Sequence, residues 1–105
     1  MKLVTAVLAP ERLEAVAAAL AEVEVFRMTV TDCRGVRRED GGAVPAPKVK
    51  LEIAVNESFL APTLEAIKRA GRLSDDEGSG FGKIFVTGLL DVVRIRTGES
   101  GPDAI

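Results

Sequence analysis

Residues 48–55, KVKLEIAV, alternate strictly between charged or small side chains and apolar ones. A two-residue period puts Val49, Leu51, Ile53 and Val55 on one face of a strand and Lys48, Lys50 and Glu52 on the other. Such a strand needs cover on one face only. The chain supplies cover at once. Asn56 or Ser58 can cap a helix in which Leu60, Leu64 and Ile67 recur at helical spacing, and Gly71 ends it. The same pairing opens the chain. Residues 2–8, KLVTAVL, read as a strand with Leu3 and Val7 on one side and Val4, Ala6 and Leu8 on the other. Apolar on both faces, it belongs at the centre of a sheet. Pro10 suits a first helical turn and Glu11 complements its dipole. The helix then runs to about Val23, burying Leu13, Val16, Ala17 and Leu20.

The remaining segments complete the order. Residues 25–32 are β-branched and read as a strand. Residues 35–47, GVRREDGGAVPAP, hold turn formers and charges without periodicity and read as an exposed loop. Residues 72–82 form a second loop. Residues 84–86 and 91–96 read as short strands split by Gly88, before a polar tail. The result is an α+β, ferredoxin-like β-α-β-β-α-β order, with both helices on one face of a four-stranded antiparallel sheet. A chain of 105 residues has nothing left to cover the other face, which predicts a homo-oligomer packed sheet against sheet.

Composition excludes several function classes. The apolar fraction of 47% and mean hydropathy of +0.18 fit a folded globule, here one domain over residues 1–105. A net charge of −2 and a pI near 5.2 give no global positive field for nucleic acid or anionic membrane. No apolar run approaches the ~20 residues that a bilayer span needs. Pro10, Glu11 and Arg12 interrupt the N-terminal stretch, and no small-residue cleavage site follows, so no signal peptide is expected. The single cysteine, Cys33, excludes an internal disulfide and fits a reducing cytoplasm. With no histidine or tyrosine, neither a Ser–His–Asp nor a Cys–His site can be assembled, and no enzymatic role is expected. No metal site is assigned. One would have to use carboxylates alone, which suits Mg²⁺ shared with a ligand's phosphates.

The stretch EGSGFGKIFV, residues 77–86, raises the question of a phosphate loop. It fails the Walker pattern, because Glu77 stands at the first glycine position, Ile84 follows Lys83, and a strand rather than a helix comes next. It fails the dinucleotide-binding pattern as well. Glycines can still let backbone N–H groups nest around an anion, with Lys83 adding charge at the exit. A mobile loop with a solvated lysine is the plainer alternative. Arg94-Ile95-Arg96 bears on the choice. In a strand with Ile95 in the core, both guanidiniums project from the opposite face and, with Lys83 on the adjoining strand, form an anion clamp. Their alternative is a pair of surface arginines balanced by acids. Arg37 and Arg38 follow Gly35 as another basic pair, locally offset by Glu39 and Asp40. Phe26 and Met28 read as packing residues.

Taken together, FRMTVTDCRG (26–35), PKVKLEI (47–53), GKIFV (82–86), VVRIRTGE (92–99) and the ending DAI (103–105) resemble the PII family of nitrogen-regulatory signal proteins. The resemblance covers nearly the whole chain. It implies a homotrimer with ATP or ADP bound in clefts between subunits. By that resemblance residues 36–47 are the T-loop, 72–82 the B-loop and 97–105 the C-terminal tail. Lys83, Arg94 and Arg96 would bind phosphates, helped by Gly80 and Gly82. Gly35 and Arg38, at the T-loop base, would reach the same phosphates. Met28, Thr29, Glu52 and Ala54 would border adenine and ribose.

The departures from the family pattern carry information too. The T-loop is shortened, and without a tyrosine it cannot be uridylylated. Glu39 stands where the family has a glutamine that ligates Mg²⁺ beside 2-oxoglutarate. A carboxylate there repels that dicarboxylate unless Mg²⁺ neutralises it. Lys48 matches the lysine that faces 2-oxoglutarate, so Glu39 and Lys48 mark an altered second-effector site. Asp75, Asp76 and Glu77 make the B-loop more acidic, which favours ADP or AMP over ATP. The expected function is a cytoplasmic, non-enzymatic sensor that binds adenine nucleotide and regulates a transporter or metabolic enzyme through its T-loop. The alternatives are a sensor of inorganic carbon, with bicarbonate as second effector, and a slow nucleotide hydrolase.

Overall fold

The alternating strand lies inside the sheet, as its pattern requires. The computed structural model describes residues 1–72 and 82–105. β1 (Lys2–Leu8), β2 (Thr29–Glu39), β3 (Gly42–Val55) and β4 (Ile84–Gly88) form one four-stranded sheet in the order β2-β3-β1-β4. Every neighbouring pair is antiparallel. A short 3-10 turn, Pro10–Arg12, leads into α1 (Leu13–Glu22), and α2 (Glu57–Gly71) follows β3. This is the ferredoxin-like α+β arrangement.

One apolar cluster joins sheet and helices. Val4, Ala6 and Leu8 of β1 and Val49, Leu51, Ile53 and Val55 of β3 pack with Val16, Ala19 and Leu20 of α1 and Ala66 and Ile67 of α2. Each large side chain fully buried there contributes about 1.5–3 kcal/mol. Leu60 and Leu64 of α2 border the cluster only partly buried. The opposite face of the sheet carries Leu3, Thr5 and Val7, with Phe85 paired across from Thr5 and more than half exposed.

α1 ends in a Schellman motif. Glu24 N–H donates to Ala21 O at 3.0 Å and Val25 N–H to Leu20 O at 2.9 Å. Glu24 occupies the left-handed position, with φ of 65°, that glycine usually takes. Val25 turns inward to join the core, so β2 begins at Thr29 rather than at residue 25. Phe26 is 72% exposed and does not pack in the core.

Residues 35–47 are not an irregular loop. The β2–β3 register runs from Thr29↔Glu52 to Glu39↔Gly42, whereas β1 pairs with β3 only as far as Leu8↔Val49. The two strands therefore continue past the sheet as a two-stranded ribbon closed by Asp40-Gly41. Gly42 absorbs the turn with φ of 114°. Pro45 and Pro47 are tolerated because they are two residues apart. Their missing N–H groups fall on the same edge of β3, away from β2, and the ladder is kept. The ribbon draws the molecule out to 51 × 26 × 20 Å. Its radius of gyration of 15.2 Å exceeds the about 13 Å of a compact domain near this size.

Residues 91–96 also differ from expectation, since they form no strand. An isolated bridge, Val93↔Ser100, stands there instead. The chain reverses at residues 94–99, with Arg94 N–H donating to Glu99 O and Gly98 N–H to Arg94 O, both at 2.8 Å. Gly98 takes φ of 75°, and Asp91 Oδ1 accepts from the N–H groups of Val92 (2.8 Å) and Gly101 (3.0 Å). These local bonds outweigh the β-propensity of Val92, Val93 and Ile95, and Ile95 is fully exposed rather than in the core.

Candidate functional site

Three segments converge beside the start of β2. Thr29 pairs with Glu52 across the β2–β3 ladder, and Ala54 lies two residues further along the same face of β3. The segment after α1 brings Phe26, Arg27 and Met28 to the same place, and the C-terminal segment brings Val92, Arg94, Ala104 and Ile105. Together with Glu24, Asn56 and Phe59 they line a cavity of about 640 Å³.

The tail is fastened to the cavity wall. Asn56 Nδ2 donates to Pro102 O at 3.1 Å, so Asn56 precedes α2 without capping it through its side chain. Arg94 Nη2 donates to Asp103 O at 3.4 Å, and its Nη1 to Glu99 Oε1 at 3.3 Å. Glu99 Oε1 also accepts from Thr97 Oγ1 at 3.1 Å, which stiffens the turn that carries Arg94. Glu52 Oε1 stands 3.7 Å from Lys50 Nζ. The cavity thus has apolar walls from Phe26, Met28, Val92 and Ala104, with the basic residues Arg27 and Arg94 and the acidic residues Glu24 and Glu52. Such a lining suits a flat ring bearing hydroxyl and anionic groups: apolar contact for the ring, an acceptor for a hydroxyl, charged forks for an anion.

Five of the expected site residues meet here: Met28, Thr29, Glu52, Ala54 and Arg94. The others are placed elsewhere. Gly35 is buried in β2 opposite Ala46. Arg38 stands opposite Ala43 near the ribbon's tip, not at its base. Gly82 and Lys83 are exposed ahead of β4, and Arg96 is exposed in the 94–99 turn. Arg94 and Arg96 therefore do not project from a strand adjoining Lys83. Among the described residues, Arg38, Lys83 and Arg96 make no ion pair. Gly80 and the rest of 73–81 lie outside the described residues.

Glu39 and Lys48 are not brought together. Glu39 closes the turn opposite Gly42 and pairs with Arg37, while Lys48 is buried opposite Cys33. The stretch from Gly42 to Lys48 spans about 20 Å at strand rise. Among the described residues, no group of three His, Cys, Asp or Glu side chains is gathered to hold a metal ion.

The sequence reading missed Arg27, Asn56, Phe59, Val92, Ala104 and Ile105 as lining residues. Phe26 was assigned to packing. A large aromatic and an arginine directly beside Met28 and Thr29 were the available signal. For the tail, nothing in a polar run of residues marks Ala104 as buried.

The sequence model of the family described as "Nitrogen regulatory protein P-II" matches residues 1–99. The chain belongs to the P-II family. Nitrogen regulatory protein GlnK1 of Methanosarcina mazei is 46% identical to it over 115 aligned residues, covering 100% of this chain and 97% of that protein. Nitrogen regulatory protein P-II of Azospirillum brasilense is 42% identical over 118, covering 100% of both. Nitrogen regulatory protein P-II 1 of Methanothermobacter thermautotrophicus is 44% identical over 115, covering 100% of this chain and 97% of its own. These alignments are longer than 105 residues, so these P-II relatives carry stretches that this chain lacks. As a P-II member it is a nitrogen regulatory signalling protein in family terms. Among its described residues no helix is long and apolar enough to cross a membrane.

Proposed function

We propose that this P-II protein is a cytoplasmic, non-enzymatic sensor of adenine nucleotides, binding ADP, ATP or AMP in clefts of a homotrimer and regulating a partner protein through the β2–β3 ribbon. The observation that carries the reading is the split of the site. Met28, Thr29, Glu52, Ala54 and Arg94 line one cavity, while Gly35, Gly82 and Lys83 lie apart from it on the same chain. A neighbouring copy supplies those missing groups. Arg96, exposed in the same turn as Arg94, is assigned to the phosphates with it. Trimer assembly also covers the sheet face that bears Leu3, Val7 and Phe85. Arg38, close to the ribbon's tip, is assigned to partner contact instead of the phosphates.

Isothermal calorimetry with ADP and with ATP tests this. Binding is expected in the micromolar range, and Arg94→Ala or Lys83→Ala is expected to weaken it at least tenfold, on the order of the 1.5–3 kcal/mol that a charge-assisted hydrogen bond contributes. Sedimentation equilibrium should give a trimer. Absence of heat with every adenine nucleotide refutes the reading.

A further inference from the structure

The ribbon has two edges, and they differ. On β3 its outer edge carries Pro45 and Pro47, which have no N–H to donate to a further strand. The eleven residues of β2 contain no proline, and β2 is an outer strand of the sheet. The pairs that place Pro45 and Pro47 opposite Val36 and Arg34 cannot be the hydrogen-bonded ones, so the N–H and C=O groups of Arg34, Val36 and Arg38 point outward. The side chains of these residues share one face. Val36 is 57% exposed, and neither Arg34 nor Arg38 makes an ion pair among the described residues. On the other face Arg37 is paired with Glu39. In a protein of net charge −2, the ribbon thus presents two guanidiniums, neither in an ion pair among the described residues, on either side of an exposed valine. Asp32 stands two residues before Arg34 and Asp40 two residues after Arg38.

We infer that the free edge of β2 receives an extended acidic segment of the partner protein as an added strand, its carboxylates reaching Arg34 and Arg38 and an apolar residue between them covering Val36. This rests on the reading that the ribbon is the partner-binding element. Arg34 and Arg38 are four strand residues apart, about 13 Å, so the complementary segment has acids four residues apart. A second copy of this chain is the wrong occupant. Antiparallel pairing of two β2 edges centred on Val36 sets Arg34 against Arg38 twice, and like charges directly opposite are destabilising.

The test uses the full-length protein and an acetylated, amidated heptapeptide TETVTET, with TKTVTKT as control, followed by amide chemical shifts, hydrogen exchange and fluorescence anisotropy. TETVTET is expected to bind saturably, with affinity falling as salt rises. The N–H groups of Arg34, Val36 and Arg38 should gain protection, while those of Gly35 and Arg37 are already protected. TKTVTKT should not bind. Arg34→Glu should weaken binding at least tenfold. Val36→Pro, which removes one outward donor and leaves the β3 ladder intact, should do the same. Failure of TETVTET to bind overturns the inference, as does binding undiminished by Val36→Pro. Self-association beyond the trimer that Val36→Pro abolishes also overturns it in favour of a second copy. ADP calorimetry on the same samples separates the two ideas. Normal ADP heat without peptide binding sinks this inference alone, whereas absence of ADP heat sinks the sensor reading.

Discussion

Arg12 ties the two helices together, and its removal should be felt across the fold. Its Nε and Nη2 both donate to Ala70 O, at 2.9 and 2.6 Å, from a partly buried position. Ala70 lies in the last turn of α2, whose carbonyls have no partner further along the helix. A hydrogen bond from a charged donor contributes about 1.5–3 kcal/mol, and a cation at a helix C-terminus about 0.3–1 kcal/mol. Because both donors share one acceptor, the second adds less than the first, and Arg12→Ala should cost about 2 kcal/mol. For a chain of this length that is a fall in melting temperature of roughly 10 °C. Arg12→Met keeps most of the aliphatic stem and should lose nearly as much, while Arg12→Lys, with one compact donor, should recover about half. Urea titration at one fixed protomer concentration measures this, because oligomer stability depends on concentration. If Arg12→Met unfolds within about 0.3 kcal/mol of the parent protein, the clamp carries no stability and the reasoning fails.

Two further substitutions test local readings of the chain. Glu24→Gly should raise stability by about 0.5–1 kcal/mol in the same titration, since glycine accepts φ of 65° without the steric cost that a side chain bears. Thr63 is fully buried, and its Oγ1 has no hydrogen-bond partner among the described residues, so Thr63→Val should stabilise by about 1 kcal/mol through replacing an unpaired hydroxyl with a methyl; a loss of stability there would mean that the hydroxyl is bonded after all.

The parts of the fold legible in the sequence are those where one period dominates. KVKLEIAV and KLVTAVL place the strand side of the core residue by residue, because burial on one face leaves few alternatives. The helical stripes find Val16, Leu20 and Ile67 but miss Ala19, Thr63 and Ala66, and Leu13, Leu60 and Leu64 only border the core. The ribbon was hidden for the opposite reason. Both its faces are largely exposed, so no hydrophobic alternation marks it, and Pro45 and Pro47 look like breakers until their shared edge is known. Residues 91–96 misled through local propensity. Val92, Val93 and Ile95 favour a strand, yet the bonds from Asp91 and the left-handed Gly98 turn the chain back on itself. In the candidate site, Met28, Thr29, Glu52 and Ala54 were named through family resemblance and not through geometry, and the structure brings them with Arg94 to one cavity. The charge argument that joined Arg94 and Arg96 to Lys83 required a strand that is not there.

That failure sharpens the site rather than dissolving it. If Lys83 and Arg94 act on one nucleotide without sharing a cavity in one chain, they act from two chains. The consequence is complementation. Lys83→Ala and Arg94→Ala proteins should each bind ADP weakly as homotrimers. Mixed by co-refolding in equal amounts, they should regain strong sites wherever an intact Arg94 from one subunit faces an intact Lys83 from its neighbour. In randomly mixed rings with one such contact per interface, about one interface in four is fully intact. Calorimetry should then show a high-affinity phase with roughly a quarter of the parent stoichiometry, while mass spectrometry under native conditions verifies that the trimers are mixed. A double variant, Lys83→Ala with Arg94→Ala in one chain, mixed with unaltered protein also leaves about a quarter of interfaces intact when the site is shared, but about half when each chain holds a whole site. Mixed trimers of the two single variants that recover no tight binding would place both residues in one chain's site and refute the division drawn from the cavity.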